Sequence, residues 1–310
     1  ILSQPLVTHN GTPQGDSLSP VLFTVYLEAA LRLIRERLSP RPALDIQLQL
    51  PNETAYADDV DFISTSLQYL HDNQPILSSS LAEYNLKMNE AKTEYTTIKR
   101  EKDRVDERWR NTVKLGSMLG VEEDISRRKR LATCALHQLW VIWLRGNHAR
   151  EPLRIRLYGS FILPILLYNC GTWSLTETQE KKLDSFHRQQ LRAVIGVKYP
   201  RIIRNEALYK RTGSKPLSRI IQSARWRMFG HMLRLDTSSP VQQAMSAYFQ
   251  PGSSGFRGRP RTTLPRSINN DLKNSRSTNS LTSHEDLVAL RQLAQDRRKW
   301  KDLMCAVCNG

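Results

Sequence analysis

The sequence lacks any stretch that is long and apolar enough to cross a membrane. Its longest apolar run, Phe161 to Tyr168, is interrupted by Pro164, whereas a spanning helix needs roughly 20 predominantly apolar residues. The start of the chain also lacks the basic and apolar regions of a secretory signal. These absences argue against a membrane protein and against secretion.

Cysteine is scarce, with four in 310 residues. So few cysteines in a chain of this size favour a reducing compartment over a disulfide framework. Cys305 and Cys308 have the spacing of a metal-binding pair, but structural zinc takes four ligands, and the nearest candidate histidine, His284, lies well upstream. A truncated zinc knuckle and two free thiols both remain open as interpretations, and the shortage of further ligands favours the thiols.

Acidic residues are few in the second part of the chain. Residues 1–124 contain 13 Lys or Arg and 19 Asp or Glu, whereas residues 125–310 contain 33 and 11. An excess of positive charge on this scale favours a polyanionic partner, either nucleic acid or an anionic membrane surface. We find no lipid-anchor motif and no strongly amphipathic basic helix with a Trp/Phe/Leu face, so nucleic acid is the better interpretation.

Two adjacent carboxylates, Asp58 and Asp59, lie between an alternating run, Asp45 to Leu50, and an apolar-rich run, Val60 to Ser64. This pattern predicts a β-hairpin with the acidic pair near its tight end. Because neighbouring negative charges repel each other, a divalent cation that also binds substrate phosphates would stabilise them. The alternative is a solvated acidic turn, which the pair taken alone favours.

A glycine-bracketed loop precedes a predicted helix near the start of the chain. Gly11 and Gly15 flank Pro13, which suits a sharp turn, and Ser19 and Pro20 suit the beginning of a helix that runs to about Leu38. The apolar residues of one predicted face are Leu22, Val25, Tyr26, Ala29 and Leu33. Backbone donors at such a helix start favour anions such as a triphosphate, although an ordinary loop-to-helix junction has the same pattern.

These blocks, taken in order, resemble the motifs of reverse transcriptases, and most closely those of the non-LTR (LINE-type) retrotransposon enzymes. The blocks that carry the resemblance are motif B at Gly11–Pro20 with Val21–Phe23, motif C at Tyr56–Asp59, motif D at Asn85–Glu94 and the primer-grip motif E at Lys114–Gly120. A single Tyr-x-Asp-Asp would be weak evidence, but four blocks in the family's order are specific. They cover roughly the first 120 residues.

The resemblance implies an α+β fold. A partial reverse-transcriptase palm, made of an antiparallel sheet with helices, would be followed by an α-helical thumb and a basic tail. We therefore expect four regions: the palm at residues 1–124, the thumb and connection at 125–250, a basic flexible linker at 251–280, and a C-terminal helix with the Cys-x-x-Cys tail at 281–310.

The resemblance also implies a reaction, the attack of a primer 3′-hydroxyl on the α-phosphate of a dNTP, assisted by Mg²⁺ or Mn²⁺. Asp58 would be a direct metal ligand, Asp59 an auxiliary one, and Lys92 a proton donor or charge partner for pyrophosphate. The expected nucleotide contacts are Pro13, Gln14, Gly15 and Tyr56. The expected contacts with the RNA template and DNA primer are Gly116, Leu119, Gly120, Arg127, Arg128, Lys129, Arg130, Arg257, Arg259 and Arg261.

One family feature is missing from these residues. Motif A supplies a further catalytic aspartate before motif B, and no acidic residue occurs from Ile1 to Gly15. We therefore expect a C-terminal part of a longer protein, or a decayed copy, that does not polymerise as it stands. The alternatives are a non-catalytic or domesticated nucleic-acid-binding remnant and a group II intron-type maturase, against which the tail sequence argues. The family implies nuclear as well as cytoplasmic residence; the oligomeric state stays open.

Further elements are predicted from periodicity and capping residues. They are a helix at Pro75–Leu86, a strand at Tyr95–Ile98, a helix from Ile125 that opens with Arg127–Arg130, a helix over Leu153–Tyr168 divided at Gly159 and Pro164, and a helix capped by Thr176 with Gln179. A fourth downstream helix begins at Pro216, with Arg225 on its surface, and Ser283 caps a last helix with Arg297–Lys299 toward its end. We expect His187 and His231 to be structural or surface residues.

Overall fold

The computed structural model describes residues 15–47, 49–98, 107–141, 149–249 and 262–309. The chain divides into two compact units, Ile1–Thr97 and Ile98–Gly310. Within the described ranges, helices dominate and two small antiparallel sheets of two strands each are present. The predicted α+β class, a partial palm with a helical thumb, is therefore confirmed.

The first unit packs two helices against a hairpin. Its elements are α1 (Ser19–Arg37), α2 (Ala43–Gln47), β1 (Glu53–Tyr56), β2 (Asp59–Phe62), α3 (Leu67–Glu83) and a 3₁₀ turn at Glu90–Lys92. Its core joins Leu27, Leu31 and Ile34 of α1 to Val60 and Phe62 of β2 and to Leu77 and Leu81 of α3. Burial of this shared apolar surface holds one face of the hairpin in place.

The extent predicted for the first helix is correct, but the predicted inward face is wrong. Leu27, Ala30, Leu31 and Ile34 are buried, whereas Leu22 and Val25 are 47% and 66% exposed. The helix is apolar on two sides, and the partners β2 and α3 decide which side is covered. Its N-cap residue is Leu18 rather than Ser19.

Three further local predictions for this unit need correction. The alternating run begins as helix α2, because the Asp45 side chain turns inward to accept hydrogen bonds, so that Asp45 to Gln47 form no strand. Tyr95 to Ile98 form no strand either; the Tyr95 hydroxyl instead donates to the Gln74 side chain at 2.8 Å. The helix expected from Pro75 begins at Leu67, since Ser66 accepts a hydrogen bond from the Tyr69 backbone N–H and caps it.

The second unit begins with a short hairpin and continues as helices. In chain order it contains a 3₁₀ turn at Arg108–Asn111, β3 (Val113–Lys114), β4 (Ser117–Met118), α4 (Val121–Leu139), α5 (Glu151–Leu157), a π-helical turn at Tyr158–Ile162, α6 (Leu163–Leu166) and a 3₁₀ turn at Cys170–Thr172. It continues with α7 (Glu177–Val194), α8 (Asn205–Thr212), α9 (Leu217–Arg234), α10 (Pro240–Tyr248), α11 (Leu264–Asn274), α12 (His284–Gln295) and α13 (Arg297–Asn309).

Helix α9 connects two hydrophobic clusters of the second unit. Leu217 and Ile221 in its first half belong to a cluster with α4, the α5–α6 region, α7 and α8. Trp226, Phe229 and Leu233 in its second half belong to a cluster with α10 to α13. The helix therefore links the helices that precede it in the second unit to those that follow it through buried packing.

Several predictions for this unit are confirmed. The helix expected over Leu153–Tyr168 is divided at the π-helical turn that contains Gly159, just before Pro164. The capping box of Thr176 and Gln179 is formed at the start of α7. Ser283 caps α12, and its box is completed by Asp286. His187 is fully buried with Nδ1 2.8 Å from the Tyr158 hydroxyl, a structural position.

Other predictions are wrong. Arg225 is buried rather than on the surface, because Asp271 pairs with it at 2.9 Å. Residues 264–274 form helix α11 instead of linker, since Ile268 and Leu272 recur on one face and pack into the second cluster. Arg297–Lys299 open α13 rather than end α12, and Asp296 accepts from the backbone N–H groups of Arg298 and Lys299. In the described ranges no helix has the length and apolarity of a membrane span.

Candidate active site and nucleic-acid interface

The acidic pair lies at the tight end of the β1–β2 hairpin, as the sequence predicts. Tyr56 pairs with Asp59, and Ala55 pairs with Val60, so Ala57 and Asp58 form a two-residue turn. Ala57 has a φ of 54°, a left-handed conformation that is unfavourable by roughly 1 kcal/mol or more for a residue with a Cβ. The turn that presents the carboxylates is thus held in a strained conformation by the pairing of its strands.

The end of this hairpin is open to solvent. Tyr56 is 69% exposed, and Ala57, Asp58 and Asp59 are all exposed. Across the part of the chain that the structure describes, no hydrogen bond or ion pair occupies the Asp58 or Asp59 carboxylate. Uncommitted carboxylate oxygens are the ligands that Mg²⁺ and Mn²⁺ prefer. The pair therefore fits a divalent cation in ligand type.

The pair supplies only part of a metal site. Among the residues described, no group of three or more His, Cys, Asp or Glu side chains is arranged to hold a metal ion. In enzymes that transfer nucleotides, a few carboxylates bind the metal ion, and substrate phosphates and water complete its coordination sphere. Asp58 and Asp59 are accordingly candidate ligands that need partners from outside the hairpin.

The base of the hairpin is fixed by a buried aspartate that sequence reasoning missed. The Asp45 carboxylate is fully buried and accepts hydrogen bonds from the Ser64 hydroxyl at 2.6 Å and from the Thr65 backbone N–H at 2.7 Å. Burial alone would raise the pKa of Asp45, but the hydrogen bonds from Ser64 and Thr65 outweigh burial and lower it. Arg41 lies 3.5 Å from the same carboxylate and donates to the Leu50 and Ile63 carbonyls. The signal available in the sequence was a single Asp at the start of the alternating run.

A second set of hydrogen bonds joins α1 to β1, the first strand of the hairpin. Arg35 donates to Glu28 at 2.9 Å and to Glu53 of β1 at 2.7 Å. Hydrogen bonds from Arg35 and then Arg32 lower the pKa of Glu28 to about 2. The hairpin is thus anchored on both sides while its turn stays free.

The predicted nucleotide contacts are only partly described. Pro13 and Gln14 lie outside the described residues. Gly15 is exposed with a φ of 92°, and a side chain there would meet no atom within 4 Å. Lys92 is exposed at the end of its 3₁₀ turn, in the same unit as Gly15 and Asp58. Their roles toward a nucleotide therefore stay predictions.

The segment predicted as the primer grip forms a second tight hairpin. Val113 pairs with Met118, and Lys114 pairs with Ser117. Leu115 and Gly116 make the two-residue turn, with φ values of 47° and 79°. A pair of left-handed residues is the geometry that matches the twist of a two-residue hairpin. Leu115 and Leu119 remain 51% and 40% exposed.

The turn of this second hairpin is held by side chains from α4 and the region after α6. The Gly116 carbonyl accepts from Arg127 Nη1 at 2.5 Å and from Arg128 Nη2. The Leu115 carbonyl accepts from the Tyr168 hydroxyl at 2.8 Å, and the Arg128 guanidinium lies 4.3 Å from the Tyr168 ring centroid. Arg128 is 7% exposed. It is therefore a positioning residue inside the protein and not a surface contact for phosphates, which corrects the prediction for it.

A second buried aspartate, also missed from the sequence, fixes the same hairpin. Asp124 accepts from the Met118 backbone N–H and from the Trp173 indole N–H, both at 3.0 Å. Its carboxylate also lies 3.6 Å from the Arg128 Nε. Asp124 thus connects β4, α4 and the start of the α7 region. No local pattern distinguishes it from Glu122 and Glu123 beside it.

The other predicted nucleic-acid contacts are accessible to different degrees. Arg127 and Arg130 line an open groove of about 510 Å³ together with Met118 and Glu122. Lys129 lies with Nζ 5.0 Å from the Phe186 ring centroid. Gly120 caps α4 where a Cβ would collide with Glu123, so its role in the fold is close packing. Arg257, Arg259 and Arg261 lie outside the described residues.

Comparison with known proteins finds a similarity in the first part of the chain. Residues 2–123 match the family model for the reverse transcriptase (RNA-dependent DNA polymerase) domain. The match contains both hairpins, Gly15 and Lys92, and it ends within the first turn of α4. No curated protein and no solved structure matches the chain. Residues 2–123, less than half of the chain, are therefore similar to the reverse transcriptase (RNA-dependent DNA polymerase) domain.

Proposed function

We propose that this chain is part of the RNA-directed DNA polymerase of a LINE-type retrotransposon. Its substrates are dNTPs, an RNA template and a DNA primer, and its place of action is the nucleus or the cytoplasm. The observation that carries the proposal is the open β1–β2 turn, which presents two uncommitted carboxylates inside a segment that matches the reverse transcriptase family. The residues of the motif-like blocks, which are most similar to those of the non-LTR enzymes, support the LINE type.

In the proposed reaction the primer 3′-hydroxyl attacks the α-phosphate of the dNTP, a new P–O bond forms, and pyrophosphate leaves. Asp58 and Asp59 would hold Mg²⁺ or Mn²⁺, which would supply positive charge for the attacking and leaving oxygens. Lys92 supplies a proton or a positive charge to the departing pyrophosphate. The backbone near Gly15 contacts the triphosphate, because the N–H groups at the start of α1 favour anions.

Polymerisation needs a further carboxylate beyond the hairpin. In reverse transcriptases the additional aspartate precedes motif B, and no acidic residue occurs from Ile1 to Gly15. We therefore expect the hairpin alone to bind a divalent cation and primer extension to require a further aspartate.

A second candidate function is a non-catalytic nucleic-acid-binding protein. The observation that favours it is the charge of residues 125–310, which contain 33 Lys or Arg against 11 Asp or Glu. Binding of this kind depends on phosphate contacts and weakens steeply with salt. It does not require the carboxylates at the β1–β2 turn, so variants of Asp58 separate the two candidates.

The test is a Mn²⁺ titration of this chain followed by water-proton relaxation. Asp58→Asn is expected to weaken Mn²⁺ binding by at least about tenfold, since even outer-shell changes at metal sites cost that much. Asp72→Asn, in the middle of α3, is the matched control and is expected to bind as the parent chain does. Equal affinities for the three proteins would remove the hairpin from the metal site.

The companion measurement is primer extension by a longer chain that supplies the additional aspartate. Asp58→Ala in that chain is expected to abolish dNTP incorporation on an RNA template while nucleic-acid binding persists. Near-normal extension by the variant would contradict the polymerase proposal, and nucleic-acid binding without extension by the longer parent chain itself would point to the non-catalytic candidate.

A further inference from the structure

The connection between α7 and α8 projects two large apolar side chains into solvent. Tyr199 is 92% exposed and Ile202 is 87% exposed, the highest values among the large hydrophobic residues described. We refer to residues 198–204 as the Tyr199 loop. Large apolar side chains this exposed are unfavourable in water, and two of them within four residues of sequence suggest an interaction surface.

The Tyr199 loop is anchored at both ends. Val197 and Ile203 pack against the first hydrophobic cluster of the second unit. Arg192 donates to the Ile203 carbonyl at 3.2 Å and to the Asn205 side chain at 2.7 Å. Within the loop, the Arg201 N–H donates to the Lys198 carbonyl at 2.9 Å. A ring that is presented from an anchored turn loses little conformational freedom when a partner binds it.

The surroundings of the loop are strongly basic. Residues 188–215 contain eight Lys or Arg and a single acidic residue, Glu206. Arg201 and Arg204 are exposed, and within the described ranges no ion pair or hydrogen bond engages either guanidinium. Lys198 has its Nζ 5.7 Å from the Trp140 ring centroid. In sequence, the exposed ring thus lies between positive charges that no carboxylate of the described residues neutralises.

We propose that the Tyr199 loop binds an unpaired nucleotide of single-stranded RNA or DNA. The Tyr199 ring stacks on the base, Ile202 covers its edge, and Arg201, Arg204 and Lys198 contact the neighbouring phosphates. An exposed ring with free faces accepts an unpaired base, whereas bases inside a duplex are already stacked on both sides. This inference rests on the proposed function, in which the chain handles template and primer strands, and it assigns a contact outside the segment that matches the family.

The charge of the loop favours nucleic acid over a lipid surface. Two of its cations are arginines, whose planar guanidinium groups match phosphate oxygens in pairs. An interfacial membrane segment would present a longer apolar face than the two side chains here. A single-stranded nucleic acid therefore contacts the exposed Tyr199 ring, the Ile202 side chain and the basic side chains of the loop.

The experiment is fluorescence anisotropy with the full chain and labelled 20-nucleotide oligo(U), oligo(dT) and a blunt duplex. Tyr199→Ala is expected to weaken binding of both single strands by about tenfold, a typical effect of removing one base–aromatic stack, and to leave duplex binding nearly unchanged. Tyr199→Phe keeps the ring and should bind as the parent chain does. Comparison of oligo(U) with oligo(dT) shows whether a 2′-hydroxyl contributes.

A charge series sharpens the test. Arg201→Ala and Arg204→Ala should each reduce the slope of log affinity against log salt by about one contact, whereas Arg298→Ala, at the exposed start of α13, is the matched control and should change it little. An equal loss for single strands and duplex after Tyr199→Ala, or no loss at all, would overturn the proposal. So would binding of phosphatidylserine vesicles that depends on Tyr199 while oligonucleotide binding does not.

The measurement separates this inference from the proposed function, because no catalysis and no metal are involved. If Asp58→Asn leaves Mn²⁺ binding intact but Tyr199→Ala still weakens oligonucleotide binding, the proposed role of the loop is supported and the proposed metal site is contradicted. If Asp58→Asn weakens Mn²⁺ binding as expected and Tyr199→Ala does not change oligonucleotide binding, only the proposed role of the loop is contradicted.

Discussion

The two hairpins of this protein have similar turns but opposite surroundings. Both have two-residue turns with left-handed backbone, at Ala57 in the first and at Leu115 and Gly116 in the second. The first turn is exposed, and its carboxylates are uncommitted among the described residues. In the second, the turn carbonyls are taken up by Arg127, Arg128 and Tyr168.

This difference shows how each hairpin is suited to its proposed task. The first is held at its base through Asp45 and Arg35 and along one face by the packing of Val60 and Phe62, so that the negative charge of its turn remains available to a cation. The second is fixed at its tip, so that its exposed apolar side chains, such as Leu115, are held at a constant position. A site that binds a metal needs free ligands, whereas a surface that positions a strand needs a rigid support.

The largest expected effect comes from removing the anchor of the second hairpin. Asp124→Ala should destabilise the second unit by about 3–5 kcal/mol, because it leaves the buried Arg128 charge without its counter-ion and the Met118 and Trp173 N–H groups without their acceptor. Urea unfolding followed by tryptophan fluorescence measures the loss. Glu122→Ala, exposed on the same helix, is the control and should change stability by less than about 0.5 kcal/mol. Equal stability of the two variants would contradict the tip-anchored description.

Removing the anchor of the first hairpin should have a somewhat smaller effect. Asp45→Ala should cost about 3 kcal/mol in local stability, since it deletes a charged acceptor of buried hydrogen bonds from Ser64 and Thr65. Hydrogen exchange at the Ile63 N–H, which donates to the Asn52 carbonyl at 2.8 Å, reports on the hairpin base directly. Asp72→Ala is the control. Unchanged protection of Ile63 in Asp45→Ala would show that the strand pairing holds without this aspartate.

The turn of the first hairpin was predictable from the sequence. The buried aspartates that fix the two hairpins were not. Asp58 and Asp59 are adjacent, so their placement depends only on local strand and turn preferences. Asp45 and Asp124 act through partners that are 19 and 49 residues away in the chain, namely Ser64 and Trp173. The residues next to an aspartate in sequence do not indicate that it is buried when its hydrogen-bond donors are distant in the chain.

The helices illustrate the same limit. The capping box of Thr176 and Gln179 involves neighbours in sequence and was predicted correctly, as was the division near Gly159. The inward face of α1 was predicted wrongly, because the helix offers two apolar faces and only packing against β2 and α3 selects one. Helix α11 was missed because a polar composition hides the spacing of Ile268 and Leu272.

The smallest expected effects are those of exchanging the turn residues of the two hairpins. Gly116→Ala should destabilise the second hairpin by about 1 kcal/mol, since a Cβ is unfavourable at a φ of 79° even though the nearest atom, in Tyr168, is 3.7 Å away. Ala57→Gly removes the same strain from the first hairpin but gives the unfolded chain more freedom, so the net change should lie within about 0.5 kcal/mol of zero. Thermal unfolding of both variants measures the two values. If Ala57→Gly instead destabilises as strongly as Gly116→Ala, then the Ala57 side chain makes a favourable contact at the turn, and the first hairpin is not free at its tip.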